Sequence, residues 1–218
     1  HMIDAKEVAD RVAQVRSEIS NAGGSEVSLI AVTKSFGIDA LRAASIAGCE
    51  GVGENYAQEL LEKVTVGLPS IDVHFIGALQ SNKVRSLAGH VALWQSVDRE
   101  SVIDELGRRA PGASLLIQVD TTQEPSKGGV APAGLDTLRM RAESRGLIVK
   151  GLMTIGPTDG TQLECEKSFE MLRRLVNEQG LSVCSMGMSA DYRIAVACGS
   201  TMVRVGSGLF GDRARVAK

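Results

Sequence analysis

The sequence predicts an α/β protein: a single (β/α)8 TIM barrel with an extra N-terminal helix, one domain across residues 1–218. Three observations lead there. Short β-branched runs recur along the chain, helical stretches of roughly 10–15 residues separate them, and no Pro- or Ser-rich linker breaks the alternation. Such alternation implies βαβ units and a parallel sheet, and this length lies at the short end of what a barrel uses. An open doubly wound sheet is the competing arrangement.

The elements follow in order. A helix over 3–21 precedes the first strand, 27–33 (VSLIAVT), which leads into an amphipathic helix over 38–47. The next strands are 50–54 (EGVGE), 73–77 (VHFIG) and 93–97 (LWQSV), the last followed by a helix over 99–109. Strand 114–120 (SLLIQVD), helix 132–145, strand 148–154 (IVKGLMT) and helix 162–179 continue the pattern. Strands 182–187 (SVCSMG) and 202–206 (MVRVG) close it.

Composition narrows the function. Lys and Arg number 24 against 26 Asp and Glu, a net charge of −2, and aromatic residues make up 3% of the chain. Neither a basic nucleic-acid surface nor a stacking platform for single strands is indicated. No apolar run reaches the roughly 18 residues of a membrane span, and no leader segment stands out, so a cytoplasmic location is expected. His1 and Met2 resemble the remnant of an expression tag and are set aside. Cys49, Cys165, Cys184 and Cys198 show no paired spacing and no nearby His, so reduced structural thiols are expected and a zinc site is not. His74, in mid-strand, and His90, after the helix stop at Gly89, read as core or surface residues.

A barrel carries its site on the loops after the strands, often with a phosphate site after strands 7 and 8. Lys34 stands after the first strand, Glu54 and Asn55 after the second and Gly77 after the third. Asp98 and Asp120 follow the fourth and fifth, Met153 and Thr154 close the sixth, and Ser189 follows the seventh. Arg204, Gly206 and Ser207 end the eighth. In "GMSADYRIAVACG", Ser189 reads as an N-cap, Asp191 as a first-turn acid and Gly199 as the stop. A helix N-terminus there, beside the glycines of "RVGSG", suits a phosphate. "GSGLFG" (206–211) also matches a dinucleotide fingerprint, but seven residues after Gly211 leave no room for the helix, strand and acid that motif needs. "GVGENY" (51–56) lacks its third glycine. A phosphate cradle is kept and a dinucleotide site rejected.

An amine at the end of strand 1, facing that cradle, can hold a phosphorylated aldehyde as a Schiff base, since burial makes a lysine nucleophilic. A solvated strand-end charge is the plainer reading of Lys34. Lys83 and Lys127 stand in loops at the same end and could simply attract anions.

Taken together, "AVTK", "GENYAQE", "HFIGALQSNK", "LIQVD…SKGG", "GLMTI", "GMSADY" and "GSTMVRVGSGLFG" resemble the pyridoxal phosphate homeostasis (YggS/PROSC) family, related to the N-terminal barrel of alanine racemases. The blocks run in family order from about residue 28 to 213. The resemblance implies pyridoxal 5′-phosphate (PLP) as cofactor, held on Lys34. It places Ser189, Gly206 and Ser207 at the phosphate, Arg204 opposite the pyridine nitrogen and Asn55 beside the ring. Ser207 stands where Thr is common, and Tyr192 lies in a variable part of its motif. A cation cannot accept a proton, so a ring nitrogen facing Arg204 stays unprotonated and the ring is a weak electron sink. Otherwise Arg204 would be a barrel-interior ion-pair member, with Asp98 or Glu54 as the expected counter-ion in either case.

The function expected is PLP homeostasis: binding the cofactor without robust catalysis, as a monomer, with apo PLP-dependent enzymes as recipients. The alternative is an amino-acid racemase, which needs a second proton-transfer group opposite Lys34. Related racemases bring a tyrosine from a further domain, and neither Tyr56 nor Tyr192 is obviously placed for the task. A Schiff-base lyase on a phosphorylated sugar, working with Asp98 or Asp120, is a third reading. Glu59 and Gln80 are expected near the site without an assigned role, and 121–132 is a candidate covering loop.

Overall fold

The computed structural model describes residues 3–124 and 126–211, so His1 and Met2 lie outside the described residues. Eight strands form its centre: β1 (Ser28–Val32), β2 (Gly51–Glu54), β3 (Asp72–Phe75), β4 (Leu93–Val97), β5 (Ser114–Gln118), β6 (Ile148–Met153), β7 (Val183–Met188) and β8 (Met202–Val205). They close in chain order, every neighbouring pair parallel, with β1 sealed against β8 through Ile30 opposite Arg204. Closure excludes the open doubly wound sheet. The helices are α1 (Ala5–Asn21), α2 (Ile38–Ile46), α3 (Ala57–Val66), α4 (Ser81–Leu87), α5 (Glu100–Arg109), α6 (Leu135–Ser144), α7 (Gln162–Glu178), α8 (Tyr192–Ala197) and the single turn α9 (Ser207–Phe210).

Several strands end before the apolar run does. The expected strand 73–77 stops at Phe75, because Gly77 turns its carbonyl to the Ser96 hydroxyl (2.5 Å) and packs against the Asn55 backbone. A Cβ at Gly77 would lie 2.0 Å from the Asn55 carbonyl oxygen, so only glycine fits that corner. Pro132 opens the 132–145 stretch as a 3-10 turn, Pro132–Gly134, ahead of α6.

The period-2 alternation of the strands divides the interior in two. Outward residues such as Leu29, Ala31, Phe75, Trp94, Leu115 and Val203 pack under the helices. Inward ones form a smaller apolar cluster, Ile30, Leu93, Leu116, Met153 and Met202, inside the ring. The extra helix α1 starts at Asp4, whose carboxylate accepts from the Lys6 and Glu7 amides. It buries Val8, Val12, Val15 and Ile19, a spacing that keeps one face inward.

Candidate functional site

Lys34 follows β1 at the carboxyl end of the barrel and is half-buried. Its turn is held from two sides. Ser35 adopts φ 65°, an unusual value for a residue with a side chain, and donates its amide to Glu59 Oε2 (2.8 Å). Glu59 thus fixes the turn that carries Lys34, a role the sequence alone did not assign. Beneath it, the Thr33 hydroxyl donates to Glu54 Oε1 (2.5 Å), while Lys63 of α3 donates to the same oxygen (2.5 Å) and to the Thr33 carbonyl (2.9 Å). Glu54 has no solvent exposure, and burial pushes its carboxyl upward although the Lys63 charge works against the shift. The Glu54–Lys63 pair was not anticipated from sequence; nothing in either residue's local pattern marks it.

Beside this turn, Asn55 leaves β2 with its Oδ1 shut away from water and without a hydrogen-bond partner among the described residues. Leaving such an acceptor unmet costs about 1–3 kcal/mol, which a ligand N–H or O–H would relieve.

Across the β1–β8 seam, the residues expected to cradle an anion are arranged differently from the sequence reading. Ser189 does not cap a helix: α8 begins three residues later, and its N-cap position is Asp191. The chain first makes a closed turn, in which the Asp191 carboxylate accepts the Met188 amide (2.6 Å). Ser189 is thereby left facing the β8 loop, where its hydroxyl accepts the amides of Gly206 (3.1 Å) and Gly208 (3.3 Å). Ser207 opens the single turn α9 between them. A Cβ on Gly208 would meet the Val205 side chain at 2.9 Å, so a side chain there would crowd the end of β8. Two backbone N–H groups and a hydroxyl converging on one spot suit an anion's oxygens. Gly206 also lies against Val32, 3.3 Å from a built Cβ, so the cradle and the end of the lysine's strand adjoin.

Arg204 sits just below the Gly206 loop, 3% exposed, inside the ring. Its expected counter-ions are not its partners. Asp98 pairs with Arg99 (2.6 Å) and accepts the Gly129 amide (3.1 Å), and Glu54 faces outward to Lys63. Instead Arg204 donates to the Ser185 hydroxyl (2.6 Å) and the Thr154 carbonyl (2.8 Å), and among the described residues it makes no ion pair. Burial lowers its pKa to about 10, so the guanidinium stays charged at neutral pH and presents only donors.

The remaining candidates divide. Lys127 donates to Glu124 (3.0 Å) and to the Gly156 carbonyl. The 121–132 loop is tied further by Gln118 donating to the Lys127 carbonyl (2.8 Å) and by the Val119–Val130 bridge. Asp120 accepts the amides of Thr122 (3.0 Å) and Gln123 (2.8 Å), which closes the start of the loop. Lys83 and Gln80 are exposed at the start of α4. Tyr56 is 52% exposed, and the Tyr192 hydroxyl is bound to Glu18 of α1, with burial first and that carboxylate second pushing its pKa up to about 12. Burial also raises all four thiols, Cys49 to about 11 and Cys184 to about 12, which makes them poor nucleophiles. Among the described residues no cluster of three or more His, Cys, Asp or Glu could hold a metal ion, and no helix is long and apolar enough to cross a membrane.

Residues 3–214 match the family model described as the alanine racemase N-terminal domain. The pyridoxal phosphate homeostasis protein of Haemophilus influenzae is 38% identical over 210 residues, 88% of each chain. The solved PipY of Synechococcus elongatus PCC7942, with PLP bound, is 35% identical, with a TM-score of 0.83 covering 94% of this chain and 100% of that one. Alanine racemase from Corynebacterium glutamicum, 16% identical with a TM-score of 0.75, covers 99% of this chain with 64% of its own and shares the fold. The chain belongs to the pyridoxal phosphate homeostasis proteins, a family built on the alanine racemase N-terminal barrel.

Proposed function

We propose that this chain binds PLP and holds it covalently on Lys34, sequestering a reactive aldehyde from stray amines without robust catalysis of its own. The observation that carries this reading is the adjacency, across one strand seam, of the Lys34 turn and the Ser189–Gly206–Gly208 cradle. The residues fit the cofactor on three counts. The cradle suits its phosphate, the unmet Asn55 oxygen suits a ring hydroxyl, and the Arg204 donors suit an unprotonated ring nitrogen. The homologues' name and the PLP-bound PipY support the same ligand. When bound, the cofactor supplies an aldehyde that condenses with the lysine amine, forming a C=N bond and releasing one water.

A holder rather than a racemase is favoured by the two tyrosines. Tyr192 is engaged by Glu18 on the outside of the barrel and Tyr56 is open to solvent, so neither is supported as a second proton-transfer group. We take the chain to act as a cytoplasmic monomer that passes the cofactor to apo enzymes. The test is borohydride reduction after mixing with PLP, followed by peptide mass mapping. One reduced adduct at Lys34, absent in Lys34→Ala, is expected; an adduct elsewhere, or none, overturns the assignment. Exchange of an amino acid's α-proton in deuterated water, lost in Lys34→Ala, would convert the reading to a racemase.

A further inference from the structure

We propose that Gln95 and His74 are positioning residues for Arg204, acting through a one-directional hydrogen-bond chain, Arg204 to Ser185 to Gln95 to His74, that runs down the barrel interior. Every link is short and buried. Arg204 Nη1 lies 2.6 Å from Ser185 Oγ, Ser185 Oγ lies 2.6 Å from Gln95 Oε1, and Gln95 Nε2 lies 2.8 Å from His74 Nδ1. Gln95 and Ser185 have no solvent exposure, and His74 has 6%. The proposed function enters only in what Arg204 faces; the chain itself stands on these contacts.

The direction follows from the chemistry of the ends. A guanidinium has no acceptor, so Ser185 must accept from it and place its single proton elsewhere. The Gln95 carbonyl oxygen is the acceptor in reach, which turns the Gln95 amide nitrogen away, toward His74 Nδ1 and the Met202 sulfur (3.2 Å). A thioether cannot donate, so Met202 is compatible with the amide nitrogen on that side, but it is a weak acceptor and leaves Ser185 to set the orientation. His74 Nδ1 must then offer a lone pair, which leaves its proton on Nε2 and the ring neutral. Arg204, three links away, selects the tautomer of a histidine at the opposite end of the barrel. Conversely, a proton on Nδ1 would oppose the Gln95 donor and unseat the chain from below.

His74 opens onto a cavity of about 300 Å3 at that far pole, lined also by Glu50, Asp72 and Lys150. These are the charged groups that face it. Glu50 is already engaged by Arg16 and the Leu29 amide (2.7 Å). At the other end, Asp191 and Cys184 are the titratable groups that act on Arg204. The apolar filling between the two ends, Ile30, Leu93, Leu116 and Met153, offers the relay no competing partner.

The test is nitrogen-15 NMR of the ligand-free protein at neutral pH, with His74 assigned by loss of its signals in His74→Gln. Wild type should show the Nε2–H tautomer in large excess. Arg204→Leu frees Ser185 to accept from Gln95, and Ser185→Ala removes the middle link. Either should lower the tautomer ratio about tenfold, the scale of one hydrogen bond. In Gln95→Leu the buried guanidinium signals of Arg204 should shift. An Nδ1–H tautomer in wild type, an unchanged ratio in the variants, or Arg204 signals indifferent to Gln95→Leu would each overturn the proposal. Since no cofactor is added, failure here is distinct from failure of PLP to bind.

Discussion

On β1, Leu29 and Ala31 face the helices while Ile30 faces the barrel interior, and the same alternation divides the other strands. Outside, the sheet is paved with Phe75, Trp94, Leu115 and Val203, with the Phe75 and Trp94 rings 6.2 Å apart. Inside, five apolar residues share the space with His74, Gln95, Ser185 and Arg204. One face of the sheet supplies stability mainly through apolar burial, which scales with the area removed from water. The other carries a buried cation in a directional network, which is costly unless every partner is in place. This barrel sets its longest polar network on the inward positions and leaves the outward ones largely to packing, with the buried Glu54–Lys63 pair at the end of β2 as the exception.

Substitutions on the two faces should therefore separate. Phe169→Ala, on α7 and fully buried in the core between helices and sheet, should lower unfolding free energy by about 3–5 kcal/mol while the folded fraction still captures PLP. Chemical denaturation read beside cofactor absorbance checks it, and a loss of capture in the folded protein would erase the contrast.

A smaller effect comes from the inner face through pH. Burial lowers the His74 pKa from 6.5 to about 4, so between those values the unfolded chain binds a proton that the folded one does not. Stability should fall as pH drops through that window, by about 3 kcal/mol if the full shift is expressed. Glu54, whose carboxyl is raised by burial, acts in the opposite sense. Denaturation midpoints across the window, in wild type and His74→Leu, measure the difference; an unchanged slope in the variant would remove His74 as its source.

The smallest effect should come from α1, which braces the outside. Tyr192 donates to Glu18, and Arg11 donates to the Leu209 carbonyl (3.1 Å), tying α1 to the helices that follow β7 and β8. Tyr192→Phe should cost about 1 kcal/mol by thermal melting and leave PLP capture unchanged. A large loss of capture would mean that the brace reaches the cradle.

Much of this was open to sequence reading. The apolar runs locate all eight strands within a residue or two, and the candidates Lys34, Asn55, Ser189, Gly206 and Ser207 follow strands, with Arg204 inside β8. The misreadings share one cause. Ser189 looks like a cap because it precedes a helical pattern, yet the turn closed by Asp191 moves the helix start past it. Glu54 looks like a counter-ion for Arg204 because both stand at strand ends. Ile30 pairs with Gly51 on one side and with Arg204 on the other, which sets Gly51 and Gly53 inward and Glu54 outward.

Features that depend on near neighbours are legible in the chain: the strand and helix periods, the stops, the glycines after β8 and the lysine after the first strand. Partnership between distant residues is set by the closed barrel. Ser185 meets Gln95 across 90 residues of chain and Gln95 meets Met202 across 107, through strands brought together by closure of the ring. A hydrogen bond is directional and short, so its existence depends on register and on which face of a strand is turned inward. Periodicity supplies the faces; only the closed barrel supplies the neighbours.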